Sequence, residues 1–186
     1  MNQTMRRLLS GSAAIAAIGL MAPLAAQESG DAKFLMDAIR DNMAEVKIGG
    51  LAEMHGSTDA TRDYGKMLAN DHSKALQKHS ALAKQKRIAV PTDVTAEQKQ
   101  AYDKLAKESG SSFDREFAQA MVMDHQKAIA AYEKETKGGR DKDIVDLAKD
   151  TLPTLEEHLE HAQRLAGNEI RTSQRPDTSG APHRVE

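Results

Sequence analysis

Apolar residues recur at helical spacing along four long segments of this chain, and no segment alternates apolar and polar residues over a sustained stretch. At about 100° per residue, this recurrence places the apolar side chains on one face of a helix. Four long helices with one longer connection pack naturally as a four-helix bundle. The sequence therefore predicts an all-α bundle with a short extra helix in the connection between helices 2 and 3. The predicted long helices cover about 31–55, 59–87, 113–137 and 141–165, and the short helix about 96–107.

Local signals set the predicted ends of these helices. Thr95, followed three residues later by Gln98, has the form of a capping box that starts the short helix. Either serine of Ser111–Ser112 can cap the third long helix. Pro153 lies inside the fourth and is predicted to kink it, because proline removes a backbone donor and clashes with the preceding turn. Gly167 is predicted to end that helix, and the polar residues 167–186 are predicted to be a disordered tail.

The first 26 residues have the features of a secretory signal peptide. Arg6 and Arg7 form a positive segment, an apolar run follows, and small residues end it at Ala26. The competing interpretation is a membrane anchor, but the uninterrupted apolar part, residues 13–26, is short for a span of about 20 residues. We predict cleavage after Ala26 and a periplasmic location. No Ser or Thr directly precedes the arginine pair, which favours general secretion and leaves the twin-arginine route as the alternative.

The composition after this leader narrows the classes of function. About 160 residues remain, one ordinary domain over 31–166, with 24 basic against 28 acidic side chains and a net charge of −4. This weak, mixed charge argues against a nucleic acid or an anionic membrane as partner. The chain has no cysteine, which excludes a lipid-modified cysteine, disulfides and thiol chemistry. The sequence identifies no protein partner and is compatible with a homo-oligomer.

An Asp-His pair opens the same pattern on two predicted helices. Residues 71–76 and 124–129 match in identity or type at five of six positions. By helical angle, His72 and His125 each lie within about 60° of the centre of an apolar stripe, so both can reach the edge of the bundle interior. His158 lies at the edge of the stripe of the fourth long helix.

Glu45 lies near the centre of the apolar stripe of the first helix, between Ala38 and Ala52. A buried carboxylate is costly unless it is paired, protonated or bound to a metal ion. With the histidines it gives one carboxylate and three imidazoles, one from each long helix, which is how bundle metal sites are built. These ligand types would accept Fe, Zn, Cu or Mn. The predicted ligands are Glu45, His72, His125 and His158, with Asp71 and Asp124 as further ligands or as groups that orient the imidazoles.

Other interpretations of these residues stay open. Glu45 can instead accept hydrogen bonds from His72 or His125, in a polar network that only sets the helix register. Met121 and Met123, with His125, also resemble a soft copper site, although methionine in a bundle more often fills gaps.

Further features limit the chemistry. No Glu-x-x-His pair occurs at matched depth on two helices, so a dinuclear carboxylate site is not predicted. His55 and His79 belong to no pattern and are predicted to lie at the surface. The sequence contains no nucleophile paired with a base and no glycine-rich phosphate loop, so no catalytic residue is assigned.

Five short motifs occur in a fixed order, and together they make the sequence resemble the domain of unknown function 4142 family over about residues 32–165. The resemblance implies an exported, ferritin-like four-helix bundle and favours metal binding, but it implies no activity. Members are often labelled putative outer membrane proteins, yet no apolar span follows Ala26 here. The motifs are Glu45 with residues 49–52, then residues 67–72, 112–114, 124–125 and 152–159.

One functional hypothesis and two alternatives follow. The hypothesis is a periplasmic, ferritin-like metal-binding protein that is redox-active or protects the envelope under stress. The alternative is a non-catalytic structural or interaction protein whose buried Glu, His and Asp form only a polar network. A third, a bundle chaperone, would need an exposed apolar face that the helical stripes do not require.

Overall fold

The computed structural model describes the backbone of residues 30–173 and the side chains of residues 30–167. Within that part of the chain all regular structure is helical, and no helix is long and apolar enough to cross a membrane. The predicted four-helix bundle with a short extra helix is confirmed. The predicted signal peptide, residues 1–26, lies outside the described residues. The helices are α1 (Gly30–His55), α2 (Asp59–Gln85), α3 (Ala96–Leu105), α4 (Gly110–Gly138) and α5 (Lys142–Ser173).

The four long helices pack mainly as two hairpins. α1 lies along α2, and α4 lies along α5; because each pair is joined by a short connection, its two helices run antiparallel. The hairpins meet where α2 contacts α5 and where α1 contacts α4, and α3 lies against α1 and α4. The Gln98 amide of α3 donates to Asp41 Oδ1 of α1 at 2.7 Å. The short helix is therefore tied to both hairpins.

The first hairpin depends on two glycines where α1 crosses α2. A Cβ on Gly49 would lie 2.6 Å from the Gly65 carbonyl oxygen, and a Cβ on Gly65 would lie 2.7 Å from the Gly49 carbonyl oxygen. Both distances are shorter than van der Waals contact, so the crossing excludes side chains at both positions. Asp114 of α4 holds the turn that follows, because its carboxylate accepts from the Ser57 N–H at 2.9 Å and the Thr58 N–H at 3.2 Å.

Apolar side chains fill the bundle at both ends. One region surrounds Phe113 and Phe117, whose stacked rings are 5.9 Å apart, at the end where α1 stops and α4 begins. Another surrounds Leu35, Ile39 and Ile144 at the opposite end. Between these ends, buried histidines on α2, α4 and α5 interrupt the apolar stripes. The bundle thus carries a polar layer inside its core.

The helix boundaries correct two predictions and confirm a third. α4 begins at Gly110, before the serines expected to cap it, because the Phe113 N–H already donates to the Ser109 carbonyl oxygen at 3.3 Å; Gly110 itself has a φ of +59°, which glycine tolerates without steric penalty. α5 continues past Gly167 to Ser173, since a glycine inside a helix costs only about 1 kcal/mol relative to alanine. The remainder of the predicted tail lies outside the described residues. The capping box of Thr95 with Gln98 is confirmed, and α5 runs through Pro153.

Candidate metal centre

Three buried histidines from α2, α4 and α5 meet inside the polar layer. One ring nitrogen from each of His72, His125 and His158 lies within 4.8 Å of the other two. The three residues are 6 %, 1 % and 1 % exposed, respectively. His125 Nε2 is 3.3 Å from His158 Nδ1. These residues, which we call the three-histidine cluster, bring together ligand-type atoms from both hairpins.

Each imidazole of the cluster is oriented by an oxygen outside it. A ring nitrogen that faces a carbonyl, amide or carboxylate oxygen carries the proton, because such an oxygen can only accept. The second ring nitrogen then presents a lone pair, as in metal sites whose outer partners fix the tautomer of the ligand. The contacts are His72 Nδ1 to Asn42 Oδ1 at 2.9 Å, His125 Nδ1 to the Met121 carbonyl oxygen at 2.9 Å, and His158 Nε2 to Asp71 Oδ2 at 3.5 Å.

Each imidazole of the cluster therefore keeps one unprotonated nitrogen. His72 Nε2 is fully buried and has no hydrogen-bond partner. His125 Nε2 and His158 Nδ1 face each other at 3.3 Å, and two facing lone pairs repel unless a proton or a cation lies between them. Tetrahedral zinc with metal–nitrogen bonds of about 2.0–2.1 Å places its ligand nitrogens about 3.3 Å apart. His125 Nε2 and His158 Nδ1 already have that spacing.

Burial keeps the three imidazoles neutral. It lowers the pKa of His72 well below the usual value, and the neighbouring imidazoles lower it further. It lowers the pKa of His125 to about 4. Burial also lowers the pKa of His158, although the Asp71 carboxylate acts in the opposite direction. Neutral imidazole is the form that binds metal ions, so the cluster requires no deprotonation at neutral pH.

The two aspartates named from the sequence occupy different positions. Asp71 contacts His158, as a residue that orients a ligand would. Burial raises the pKa of Asp71, but hydrogen bonds from Lys74 and His158 outweigh that effect and lower it. Asp124 is exposed and is not part of the three-histidine cluster. The structure therefore brings one of the two aspartates to the cluster.

Glu45 is buried, as its place in the stripe predicted, but it does not join the cluster. It is 8 % exposed, its Oε2 has no hydrogen-bond partner, and neither of its oxygens belongs to the cluster of ligand atoms. The alternative hydrogen bond to His72 or His125 is also absent, since both rings use other acceptors. Burial first, and then the charges of Asp124 and Asp41, raise the pKa of Glu45 to about 8. At neutral pH its side chain is therefore mostly an uncharged acid.

Two further expectations are wrong, and a third is confirmed. His79, predicted at the surface, is 0 % exposed; it follows His72 by seven residues and so lies on the same helix face. Met121 is buried while Met123 is 63 % exposed, because residues two positions apart on a helix point in nearly opposite directions. The soft copper site is therefore not assembled. His55 is exposed, as predicted.

No sequence pattern singled out Asn42, although this residue orients His72. It lies one turn before Glu45 on α1 and is 4 % exposed. Its Nδ2 donates to the Ala38 carbonyl oxygen at 2.7 Å, which directs Oδ1 towards His72. The only sequence signal for Asn42 was its position, as a polar residue three positions before a glutamate that was predicted to be buried.

Comparisons with known proteins bear on the fold. The family described as domain of unknown function 4142 matches residues 19–165. The crystal structure of a DUF305 fragment from Deinococcus radiodurans superposes with a TM-score of 0.66 at 11 % identity, covering 74 % of this chain and 95 % of that chain. At this identity the likeness shows the fold alone, a helical bundle. No curated protein matches the chain.

Proposed function

Because the chain belongs to the domain of unknown function 4142 family, whose description assigns no activity, we propose a function from its own residues. The protein binds one transition-metal ion on the three-histidine cluster, with Asp71, Asn42 and the Met121 carbonyl orienting the ligands. It does so in the periplasm, the location that the signal peptide features of residues 1–26 favour.

The convergence of three unprotonated ring nitrogens carries this proposal. A purely architectural network would pair its donors with acceptors, because an unsatisfied buried polar atom costs about 1–3 kcal/mol. Here His72 Nε2 has no partner, and His125 Nε2 and His158 Nδ1 present lone pairs to each other. A bound cation would satisfy all three atoms at once.

The donor set favours copper or zinc. Neutral imidazoles suit Zn, Cu, Fe and Ni, whereas Mn prefers oxygen ligands, and no described carboxylate joins the cluster. Among divalent ions of this series, copper binds most tightly to a given site. Three protein ligands leave a fourth position for water or a small molecule, which is typical of reactive rather than purely structural zinc sites.

Metal titration of the untagged protein tests the proposal. We expect one equivalent of zinc or copper per chain, measured by mass spectrometry after desalting. At a free metal concentration a hundred times Kd, the free energy of unfolding should rise by about 2.7 kcal/mol. The variants His72→Ala, His125→Ala and His158→Ala should each lose both effects, whereas the exposed His55→Ala should keep them.

Two outcomes would overturn metal binding at this site. One is the absence of stoichiometric uptake by the wild-type protein. The other is undiminished uptake by a folded variant that lacks all three histidines, which would place the ion elsewhere. Circular dichroism of each metal-free variant separates loss of the ion from loss of the fold.

A further inference from the structure

A second polar pair, Tyr132 and His79, lies buried in the same bundle. The Tyr132 hydroxyl is 2.9 Å from His79 Nε2, and the two residues are 4 % and 0 % exposed. His79 Nδ1 is 2.7 Å from the Ala75 carbonyl oxygen, so Nδ1 carries the proton and Nε2 accepts from the phenol. The Phe34 ring contacts the Tyr132 ring edge-on at 4.9 Å. The phenol thus sits beside a base in a site without direct access to water.

This pair lies next to the three-histidine cluster along the bundle. His79 follows His72 by seven residues on α2, and Tyr132 follows His125 by seven residues on α4. Seven residues are about two helical turns, or about 10 Å, so both helices place the pair one layer from the cluster. Asn42 belongs to the environment of both layers: its Oδ1 accepts from His72 Nδ1 at 2.9 Å, and while burial raises the pKa of Tyr132, the Asn42 side chain acts in the opposite direction.

We propose that Tyr132, with His79 as its proton acceptor, is a one-electron donor to a redox-active metal ion on the three-histidine cluster when that ion reacts with hydrogen peroxide. This inference rests on the proposed metal site. Copper(I) gives one electron and Tyr132 gives the second, so the peroxide O–O bond breaks and two hydroxide ions form. The Tyr132 O–H bond breaks at the same time. Its proton goes to His79 Nε2, and the products are copper(II), a neutral tyrosyl radical and a protonated imidazole.

The chemistry of the two partners supports this assignment. Burial raises the pKa of Tyr132 above its usual value, so the residue remains a phenol and can lose an electron only together with its proton. Burial lowers the pKa of His79, but an oxidised phenol is a strong acid and transfers its proton even to a weak base. A hydrogen bond of 2.9 Å is within the reach that proton transfer requires.

Tyr64 supplies a matched control. It is also buried, at 3 % exposed, and its hydroxyl donates to the His158 carbonyl oxygen at 2.8 Å. Tyr64 is therefore hydrogen-bonded directly to a residue of the three-histidine cluster. A carbonyl oxygen is too weak a base to take the proton, so Tyr64 should not form a neutral radical although it is well placed for electron transfer.

The test mixes copper(I)-loaded protein with one equivalent of hydrogen peroxide and records electron paramagnetic resonance after rapid freezing. We expect a narrow tyrosyl signal beside the broad copper(II) signal in the wild type and in Tyr64→Phe. Tyr132→Phe should lose the narrow signal and keep the copper signal. In His79→Leu the radical should form at least about a hundredfold more slowly, the usual value of a positioned base.

The outcomes separate this inference from the metal site itself. If copper binds in stoichiometric amount but no narrow signal forms, Tyr132 is not the electron donor, and the metal site stands. The same conclusion follows if the narrow signal survives in Tyr132→Phe. Failure to bind copper overturns both. Unchanged copper content and circular dichroism in Tyr132→Phe would show that the missing signal reflects the phenol and not a disrupted bundle.

Discussion

Replacing Glu45 by glutamine should remove a pH dependence from the stability of the metal-free protein. The Glu45 side chain is buried without a partner for Oε2, and its pKa is raised from 4.5 to about 8. Between these values the folded chain keeps a proton that the unfolded chain releases. The folded state therefore binds more protons, and its stability falls as the pH rises.

The magnitude follows from the two pKa values. Each pH unit is worth about 1.4 kcal/mol while the two states differ by one proton. A shift from 4.5 to about 8 removes about 5 kcal/mol in total, of which about 3–4 kcal/mol is lost between about pH 5 and pH 8. Glu45→Gln keeps the shape and cannot ionise, so it should gain that amount relative to the wild type over the same interval.

Urea unfolding at several pH values measures this difference. Both proteins are unfolded with chelator present, so that no metal ion contributes, and the free energies are compared at each pH. Glu53→Gln, at an exposed position on the same helix, is the control and should follow the wild-type curve. Parallel curves for Glu45→Gln and wild type from pH 5 to pH 8 would refute the reasoning, because they would mean that Glu45 ionises equally in both states.

Two further predictions concern packing and the loop between the hairpin helices. Gly49→Ala should destabilise the protein by about 1–3 kcal/mol, because the new Cβ meets backbone atoms at 2.6 and 2.8 Å. Gly50→Ala, whose Cβ meets nothing within 4 Å, should stabilise the protein by up to about 1 kcal/mol. Thermal unfolding of both variants measures the two effects, and equal effects on stability would contradict this prediction. Asp114→Ala leaves the Ser57 and Thr58 N–H groups without their acceptor and should cost about 0.5–1.5 kcal/mol per hydrogen bond lost, because both residues are exposed and water can replace the carboxylate. Hydrogen exchange at those two amides should accelerate, and unchanged exchange would argue against the role of Asp114.

Helical periodicity was sufficient to predict the fold because apolar residues recur at about 100° per residue along each long helix. The histidines of the cluster were also predictable, since a helical angle places a side chain at the edge of an apolar stripe. The angle does not give the distance across the bundle. For that reason the burial of Glu45 was predictable, whereas its position outside the three-histidine cluster was not.

Residues that act through a partner on another helix were the least predictable. His79 follows His72 by seven residues, so its burial could have been read from the sequence, but its partner Tyr132 lies 53 residues away in the chain. Asn42 and Asp114 likewise act through residues on other elements: Asn42 through His72 on α2, and Asp114 through the turn between α1 and α2. No local pattern encodes such a contact, because it arises only when the helices pack.

The division of the cluster between the two hairpins has a kinetic consequence. His72 belongs to the first hairpin, and His125 and His158 belong to the second, all of them almost fully shielded from solvent. A metal ion bound to the three-histidine cluster would link the two hairpins, so it could leave only when the hairpins separate. Its residence time would then be governed by the rate at which the hairpins part, and metal exchange would report on transient opening of the molecule.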